Sequence, residues 1–175
     1  MKLNQIYIKK LMQNTVLFLS VIMFMAFTGG IAANADFSGE WKLNESKSNL
    51  GQFGRAAKSL KIEGNVESLA IQRVSTNQAG EEMTTSEKLT FDDKETESTV
   101  FGTAKKKSKA KWSDDGKKLT VKSNIAFERN GETMEIKTTE IWSLSDDGKT
   151  LTIESTSESA RGTNSTKLVY DKVTK

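Results

Sequence analysis

The chain has 175 residues with 26 basic and 23 acidic side chains, and it contains neither histidine nor cysteine. Their absence excludes disulfides, thiolate nucleophiles, iron–sulfur sites, imidazole bases and histidine ligands for zinc or haem. Three of the basic residues lie in the first 35 residues, which carry no acid, so residues 36–175 carry 23 charges of each sign. This balanced charge gives no reason to expect nucleic acid or an anionic membrane as a partner.

Residues 1–35 have the pattern of a secretory signal peptide. Basic residues up to Lys10 precede the apolar run Thr15–Phe27, and a small-x-small pattern ends at Ala35. The run is 13 residues long, whereas a membrane-spanning helix needs about 20. We therefore predict cleavage after Ala35, a periplasmic or secreted location, and one mature domain over residues 36–175. A retained membrane anchor is the alternative.

After the leader, apolar and polar residues alternate with period two in short runs, and no stretch keeps the 3.6-residue period of a helix. Asp-Gly and Asn-Gly turns separate the runs and join antiparallel neighbours. The pattern predicts an all-β domain, an antiparallel up-and-down β-barrel of eight to ten strands. The candidate strands are Phe37–Asn44, Ser59–Glu63, Glu67–Ser75, Glu82–Phe91, Thr96–Val100, Thr103–Trp112, Lys118–Arg129, Glu132–Ser145, Thr150–Ser159 and Thr166–Val173.

Two connecting segments are informative. The stretch from Trp112 to Val121, WSDDGKKLTV, is echoed by SDDGKTLTI after Leu144, with the two glycines 32 residues apart. The echo predicts two hairpins that share one turn geometry. Glu45–Lys58 shows no strand pattern, and it is long enough for a turn of helix or a flap across one end of the barrel.

The sixth predicted strand is the most one-sided. Four lysines from Lys105 to Lys111 alternate on one side, while Lys106 falls on the other side with small residues. We expect the row of four to be a solvated outer face, where lysine also discourages edge-to-edge aggregation.

Alternation assigns a face to each side chain of a strand. The predicted inner faces are apolar near the turns, but they carry hydroxyls such as Ser108 and Thr138 near strand middles. Small polar residues do not fill a barrel, so a partly polar cavity for one small ligand is expected. The alternative is a barrel filled by its own side chains, in which Arg73, Glu87 and Glu140 form an internal salt-bridge network.

The segment Phe37–Leu43, FSGEWKL, resembles the first strand of the calycin superfamily, the lipocalins and fatty-acid-binding proteins. In that superfamily G-x-W closes one end of a β-barrel, and the form found here is most similar to the fatty-acid-binding branch. Asp93–Val100, the Trp112 hairpin and Val169–Val173 are similar in order and spacing to its middle and final strands. The resemblance implies a lipid-binding barrel, and the leader suits a bacterial exported lipocalin-like protein.

The resemblance also implies an arginine two residues before Tyr170, where the fatty-acid-binding branch clamps a carboxylate. Leu168 occupies that position, and a shift of one residue points Lys167 to the other face. An anionic ligand would therefore be expected at Arg73 or Arg129.

From these observations we predict a non-catalytic protein that binds a small hydrophobic or amphipathic molecule. We expect no metal, no cofactor, no nucleic acid, no stable membrane anchor after cleavage, and a monomer. Two rivals stay open: a barrel without a cavity that binds proteins or serves as an envelope component, and an enzyme that uses Arg73 with Glu87 or Glu140. The predicted ligand-binding residues are Trp41, Arg73, Glu87, Phe91, Trp112, Phe127, Met134, Thr138, Glu140, Trp142 and Tyr170.

Overall fold

The computed structural model describes residues 33–51, 56–77, 79–129 and 131–174, with only the backbone at residue 129. Most of the predicted signal peptide, residues 1–32, lies outside these ranges. Within them no helix is long and apolar enough to cross a membrane. The described elements are one 3₁₀ turn, Glu45–Lys47, and the strands β1 (Gly39–Leu43), β2 (Ser59–Gly64), β3 (Ser68–Thr76), β4 (Glu82–Thr90), β5 (Thr96–Val100), β6 (Ala104–Trp112), β7 (Lys118–Arg129), β8 (Glu132–Leu144), β9 (Thr150–Ser159) and β10 (Gly162–Lys172).

The ten strands form one antiparallel sheet in the order β4-β3-β2-β1-β10-β9-β8-β7-β6-β5. Strands consecutive in sequence are hydrogen-bonded neighbours except for β4 and β5, and the β1–β10 ladder joins the first strand to the last, as in an up-and-down barrel. The described parts of the edge strands β4 and β5 share no ladder, but Lys106 on β6 spans this gap to Glu87 on β4, with 2.6 Å between Nζ and Oε2. The predicted fold, an all-β up-and-down barrel, is confirmed with ten strands and near-complete closure.

The predicted strand boundaries differ from the structure mainly at β1 and β10. β1 begins at Gly39 because the preceding residues cross the barrel end, where Phe37 is fully buried and its carbonyl accepts a 2.9 Å hydrogen bond from the Trp41 indole. β10 begins at Gly162, because Thr163–Ser165 pair with β9. This stretch is polar on both faces, so alternation gives no sign of it.

The two echoed hairpins do share one turn geometry. In each, the glycine N–H donates to the carbonyl of the serine three residues earlier, from Gly116 to Ser113 and from Gly148 to Ser145, at 2.9 Å in both turns. The serine hydroxyl donates to the second aspartate of the turn at 2.6 Å in both. The glycines have φ angles of 68° and 66°, which favour glycine over residues with a Cβ.

The segment between β1 and β2 is fastened to β10. After the 3₁₀ turn, Asn49 and Lys167 exchange backbone hydrogen bonds of 2.7 and 2.9 Å, and Val169 N–H donates to Ser48 Oγ at 2.9 Å. β1 is short, and within β10 it pairs only with the last three residues, Tyr170, Asp171 and Lys172. The described part of this segment therefore holds one turn of helix and covers the edge that β1 leaves free.

The hydrophobic core lies toward one end of the barrel, which we call the closed end. The closed end contains residues 33–38 and the β2–β3, β4–β5, β6–β7 and β8–β9 turns. We call the opposite end of the barrel the mouth. At the closed end the Phe37 ring stacks on Trp112 with centroids 5.4 Å apart and meets Trp142 edge-on at 5.8 Å. The core cluster consists of Phe37, Trp41, Leu60, Ile62, Leu69, Ile71, Leu89, Ala110, Leu119, Val121, Trp142, Leu151, Ile153 and Tyr170.

Candidate functional site

Inward-facing side chains change from buried to half-exposed between the closed end and the mouth. On β7 and β8, Leu119 and Trp142 at the closed end are 0% exposed, whereas Phe127, Met134 and Ile136 near the mouth are only half-buried. β9 shows the same change along its length. A barrel filled by its own side chains would bury its inner face throughout, so solvent reaches this interior from the mouth.

Four charged side chains from four strands meet in the middle of the barrel. Arg73 on β3 donates from Nε to Glu87 Oε1 at 2.9 Å and from Nη2 to Glu140 Oε2 at 3.1 Å. Lys106 donates to the second oxygen of Glu87 at 2.6 Å, and the Trp142 indole donates to Glu140 at 2.9 Å. We call Arg73, Glu87, Lys106 and Glu140 the ionic network. Arg73, Glu87 and Glu140 of this network are the three residues that the filled-barrel alternative predicted to form salt bridges with one another.

The ionic network keeps both carboxylates ionised. Burial alone would raise the pKa of Glu87, but the charges of Arg73 and Lys106 and their hydrogen bonds outweigh it and lower this pKa to about 2. The pKa of Glu140 is also lowered, because the same two cations outweigh its burial and the charge of Glu87. Burial raises the pKa of Tyr170 to about 12. Two cations thus face two carboxylates, and the network has no net charge near neutral pH.

Six neighbouring strands each carry one inward-facing polar side chain at the same depth in the barrel. On β8 this residue is Thr138, one inward-facing position nearer the mouth than Glu140. Ser108 and Ser123 are buried, at 3% and 8% exposed, and their Oγ atoms are 2.9 Å apart. The other members are half-buried. We call the set the polar belt; in register order it is Thr96, Ser108, Ser123, Thr138, Ser157 and Asn164.

Apolar side chains follow the polar belt toward the mouth on β7 and β8. Ile125 pairs with Ile136, and Phe127 pairs with Met134. We call these four residues the apolar rim. The mouth half of the interior therefore offers apolar surface at its entrance and hydroxyl groups deeper in, an arrangement that suits a small molecule with one polar end.

The predicted ligand-binding residues fall at three depths. Phe127, Met134 and Thr138 lie in the mouth half, and Arg73, Glu87 and Glu140 belong to the ionic network. The remaining five pack in or against the hydrophobic core: Trp41, Phe91, Trp112, Trp142 and Tyr170.

These five have little surface to offer. Trp41, Trp142 and Tyr170 are 0% exposed, and Phe91 packs edge-on against Trp112 at the closed end, 5.4 Å between ring centroids. Their position serves packing, and ligand contact at these residues stays a prediction.

Lys106 is not among the ligand-binding residues predicted from the sequence. Alternation places it on the inner face, but only the closure of the barrel brings it to Glu87. Lys167 is exposed beside Glu154 at 3.7 Å, as the one-residue shift predicts, and Leu168 packs against the core. The Arg129 side chain lies outside the described atoms.

Two depressions occur on the outer surface. One of about 490 Å³ is lined by residues of β1 and β2 with Val173, and one of about 470 Å³ lies where β1 leads into the 3₁₀ turn, beside Asp171. Both are open, and neither includes a predicted ligand-binding residue. Among the described residues, no group of three or more acidic side chains is placed to hold a metal ion.

No protein-family model matches this sequence, and no curated protein matches it significantly. Among solved structures it is similar to zebrafish ileal bile acid-binding protein in complex with cholic acid, with a TM-score of 0.52 and 20% identity, over 78% of this chain and 98% of that one. A likeness at this identity establishes the fold alone. Together with the geometry above, it shows that the chain has an antiparallel up-and-down β-barrel fold similar to that of this bile acid-binding protein.

Proposed function

We propose that the protein binds one small amphipathic molecule in the mouth half of the barrel and does not convert it chemically. The observation that carries this proposal is the half-exposed inner face near the mouth, where Phe127, Met134 and Ile136 keep apolar surface in contact with solvent. Covering roughly 200 Å² of such surface would contribute about 5 kcal/mol, at ~25 cal/mol per Å², before the cost of association.

The ionic network supports binding over catalysis. A general acid or base works best with a pKa near the working pH. The pKa of Glu87 is lowered to about 2 and that of Glu140 is lowered as well, because both carboxylates are held by Arg73 and Lys106. Neither is poised to exchange a proton at neutral pH.

A second candidate is a barrel that works through its loops, as a protein-binding or envelope component. The ionic network favours it, since salt bridges across the middle of the barrel occupy interior space. This candidate predicts that substitutions in the loops, and not at Phe127 or Met134, remove activity.

We further propose that the protein is exported, cleaved after Ala35 and monomeric. Asp36 would then begin the chain and would still accept the 2.9 Å hydrogen bond from the Ser38 N–H. Cleavage would remove the bond from the Ala35 N–H to the Gly116 carbonyl. The intact mass of protein from its own host tests this: a chain that begins at Asp36 is expected, and one that begins at Met1 contradicts cleavage.

The binding proposal is tested with a tryptophan reporter at the mouth. Trp41 and Trp142 are fully buried and Trp112 stacks on Phe37 at the closed end, so the native indoles report poorly on a ligand in the mouth half. We expect Phe127→Trp to show a saturable emission change on titration with the neutral dye Nile red and with lipids. Glu128→Trp, exposed on the outer face of the same strand, is the matched control and should not respond. If both reporters are unchanged across the panel, the proposal fails.

A further inference from the structure

Given the proposed function, we infer that the ligand carries a neutral, polyhydroxylated head group that enters first and lies against the polar belt. Three features of the interior support this: hydroxyls that the barrel wall leaves unpaired, the balanced charge of the ionic network, and the position of the apolar rim between the belt and the mouth.

The polar belt has more hydroxyl groups than the barrel wall satisfies. Ser108 and Ser123, 3% and 8% exposed, share one hydrogen bond between their Oγ atoms. A bond between two hydroxyls uses only one of their two O–H groups, and the other finds no acceptor among the described residues. Thr138 and Ser157, opposite each other on β8 and β9, make no hydrogen bond to described residues either. The Thr138 and Ser157 hydroxyls are half-exposed to the interior and free to bond a ligand, so the belt favours a ligand that brings several donors and acceptors.

The width of the polar belt indicates more than one ligand hydroxyl. Neighbouring strands are ~4.8 Å apart, so a belt across six strands spans an arc of about 24 Å. A single hydroxyl or carboxylate reaches one or two members of such an arc. A head group with hydroxyls on several carbons reaches Thr138, Ser157 and the serine pair together.

The ionic network disfavours a charged head group. Arg73 is bonded to both Glu87 and Glu140, and Lys106 is bonded to Glu87. An anionic head would have to displace one of these carboxylates and leave it buried without its cation, which is strongly unfavourable. A cationic head meets carboxylates that are already paired. The binding free energy is therefore less favourable for an anionic or a cationic head group than for a neutral one.

The apolar rim fixes the direction of entry. Ile125, Ile136, Phe127 and Met134 lie between the polar belt and the mouth. Apolar surface of a ligand is stabilised against these side chains, so its polar end points inward to the belt. An amphiphile thus binds with its head inside and its apolar part at the mouth.

The test compares three ligands with the same eight-carbon chain: n-octyl glucoside below its critical micelle concentration, octanoate and 1-octanol. Each competes with Nile red for the unmodified full-length protein. We expect the glucoside to bind at least roughly tenfold more tightly than octanoate or 1-octanol. Thr138→Val, which removes one hydroxyl of the polar belt, should weaken glucoside binding roughly fivefold. Thr156→Val, exposed on the outer face of β9, is the matched control and should leave glucoside binding unchanged.

The outcomes separate this inference from the proposed function. If Nile red binds but octanoate or 1-octanol competes as well as the glucoside, or Thr138→Val has no effect on the glucoside, the head-group inference is overturned and ligand binding stands. If neither Nile red nor any of the three amphiphiles binds, the proposed function fails and the inference fails with it.

Discussion

Replacing Arg73 by methionine removes the residue on which the ionic network centres. Its guanidinium bonds Glu87 at 2.9 Å and Glu140 at 3.1 Å and lies 5.3 Å from the Trp142 ring centroid. Glu87 would keep Lys106, but Glu140, whose side chain is 17% exposed, would lose its bonded cation. Breaking a buried ion pair costs about 3–5 kcal/mol, and we expect the free energy of unfolding at neutral pH to fall by that amount.

The size of this loss should depend on pH. In the wild type the pKa of Glu87 is lowered from 4.5 to about 2, which corresponds to roughly 3 kcal/mol of stability, present above pH 4.5 and lost as pH falls toward 2. In Arg73→Met, burial without the guanidinium raises the pKa of Glu140. Protonation then relieves the unpaired charge as pH falls through this raised value, so the difference from the wild type shrinks between neutral pH and pH 4.5.

Urea unfolding followed by tryptophan fluorescence measures these differences. The double variant Arg73→Met/Glu140→Gln removes one charge of each sign and leaves the Lys106–Glu87 pair intact, so it should be more stable than Arg73→Met alone. Arg161→Met, in the exposed β9–β10 turn, controls for the loss of positive charge. A cost below about 1 kcal/mol for Arg73→Met, or a double variant less stable than the single one, would refute the buried network.

Two further predictions concern the closed end and the charge of the interior. Gly148→Ala should lower the free energy of unfolding by about 1 kcal/mol because of its φ of 66°. Gly116→Ala should lower the free energy of unfolding of the uncleaved chain more than Gly148→Ala does, because the added Cβ would lie 2.9 Å from Asn34 Oδ1. Cleavage after Ala35 removes that contact, so urea unfolding of the cleaved chain should show the same loss for both variants. Leu168→Arg adds an unpaired cation beside the core, so we expect a loss of about 3 kcal/mol and tighter octanoate binding in Nile red displacement. Unchanged octanoate affinity would contradict the charge-balance explanation.

Alternation and turn chemistry were sufficient to predict the strands. All ten occur, and the two Asp-Asp-Gly turns at Gly116 and Gly148 have the same hydrogen bonds. The sequence did not predict the start of β10, because Thr163–Ser165 are polar on both faces. These residues pair with β9 because the preceding turn places them opposite it. Local patterns thus predict a strand where one face is apolar, and miss it where neither is.

Depth along the barrel could not be predicted from alternation. The pattern puts Trp142 and Thr138 on the same inner face, yet the first is core and the second lies in the mouth half. Depth depends on register, which local periodicity does not give. Lys106 shows the same limit, because its partner Glu87 lies across the gap between β4 and β5, where no ladder between the described residues fixes the register of the two strands.

The most direct test of ligand binding is native mass spectrometry of the protein purified from its own host, followed by denaturing extraction. We predict a mass excess of one small molecule per chain that is lost on denaturation, and a released compound that is amphipathic and uncharged. A protein that carries only the mass of its chain, and whose Phe127→Trp variant does not respond to Nile red or lipids, would contradict binding in the mouth half of the barrel.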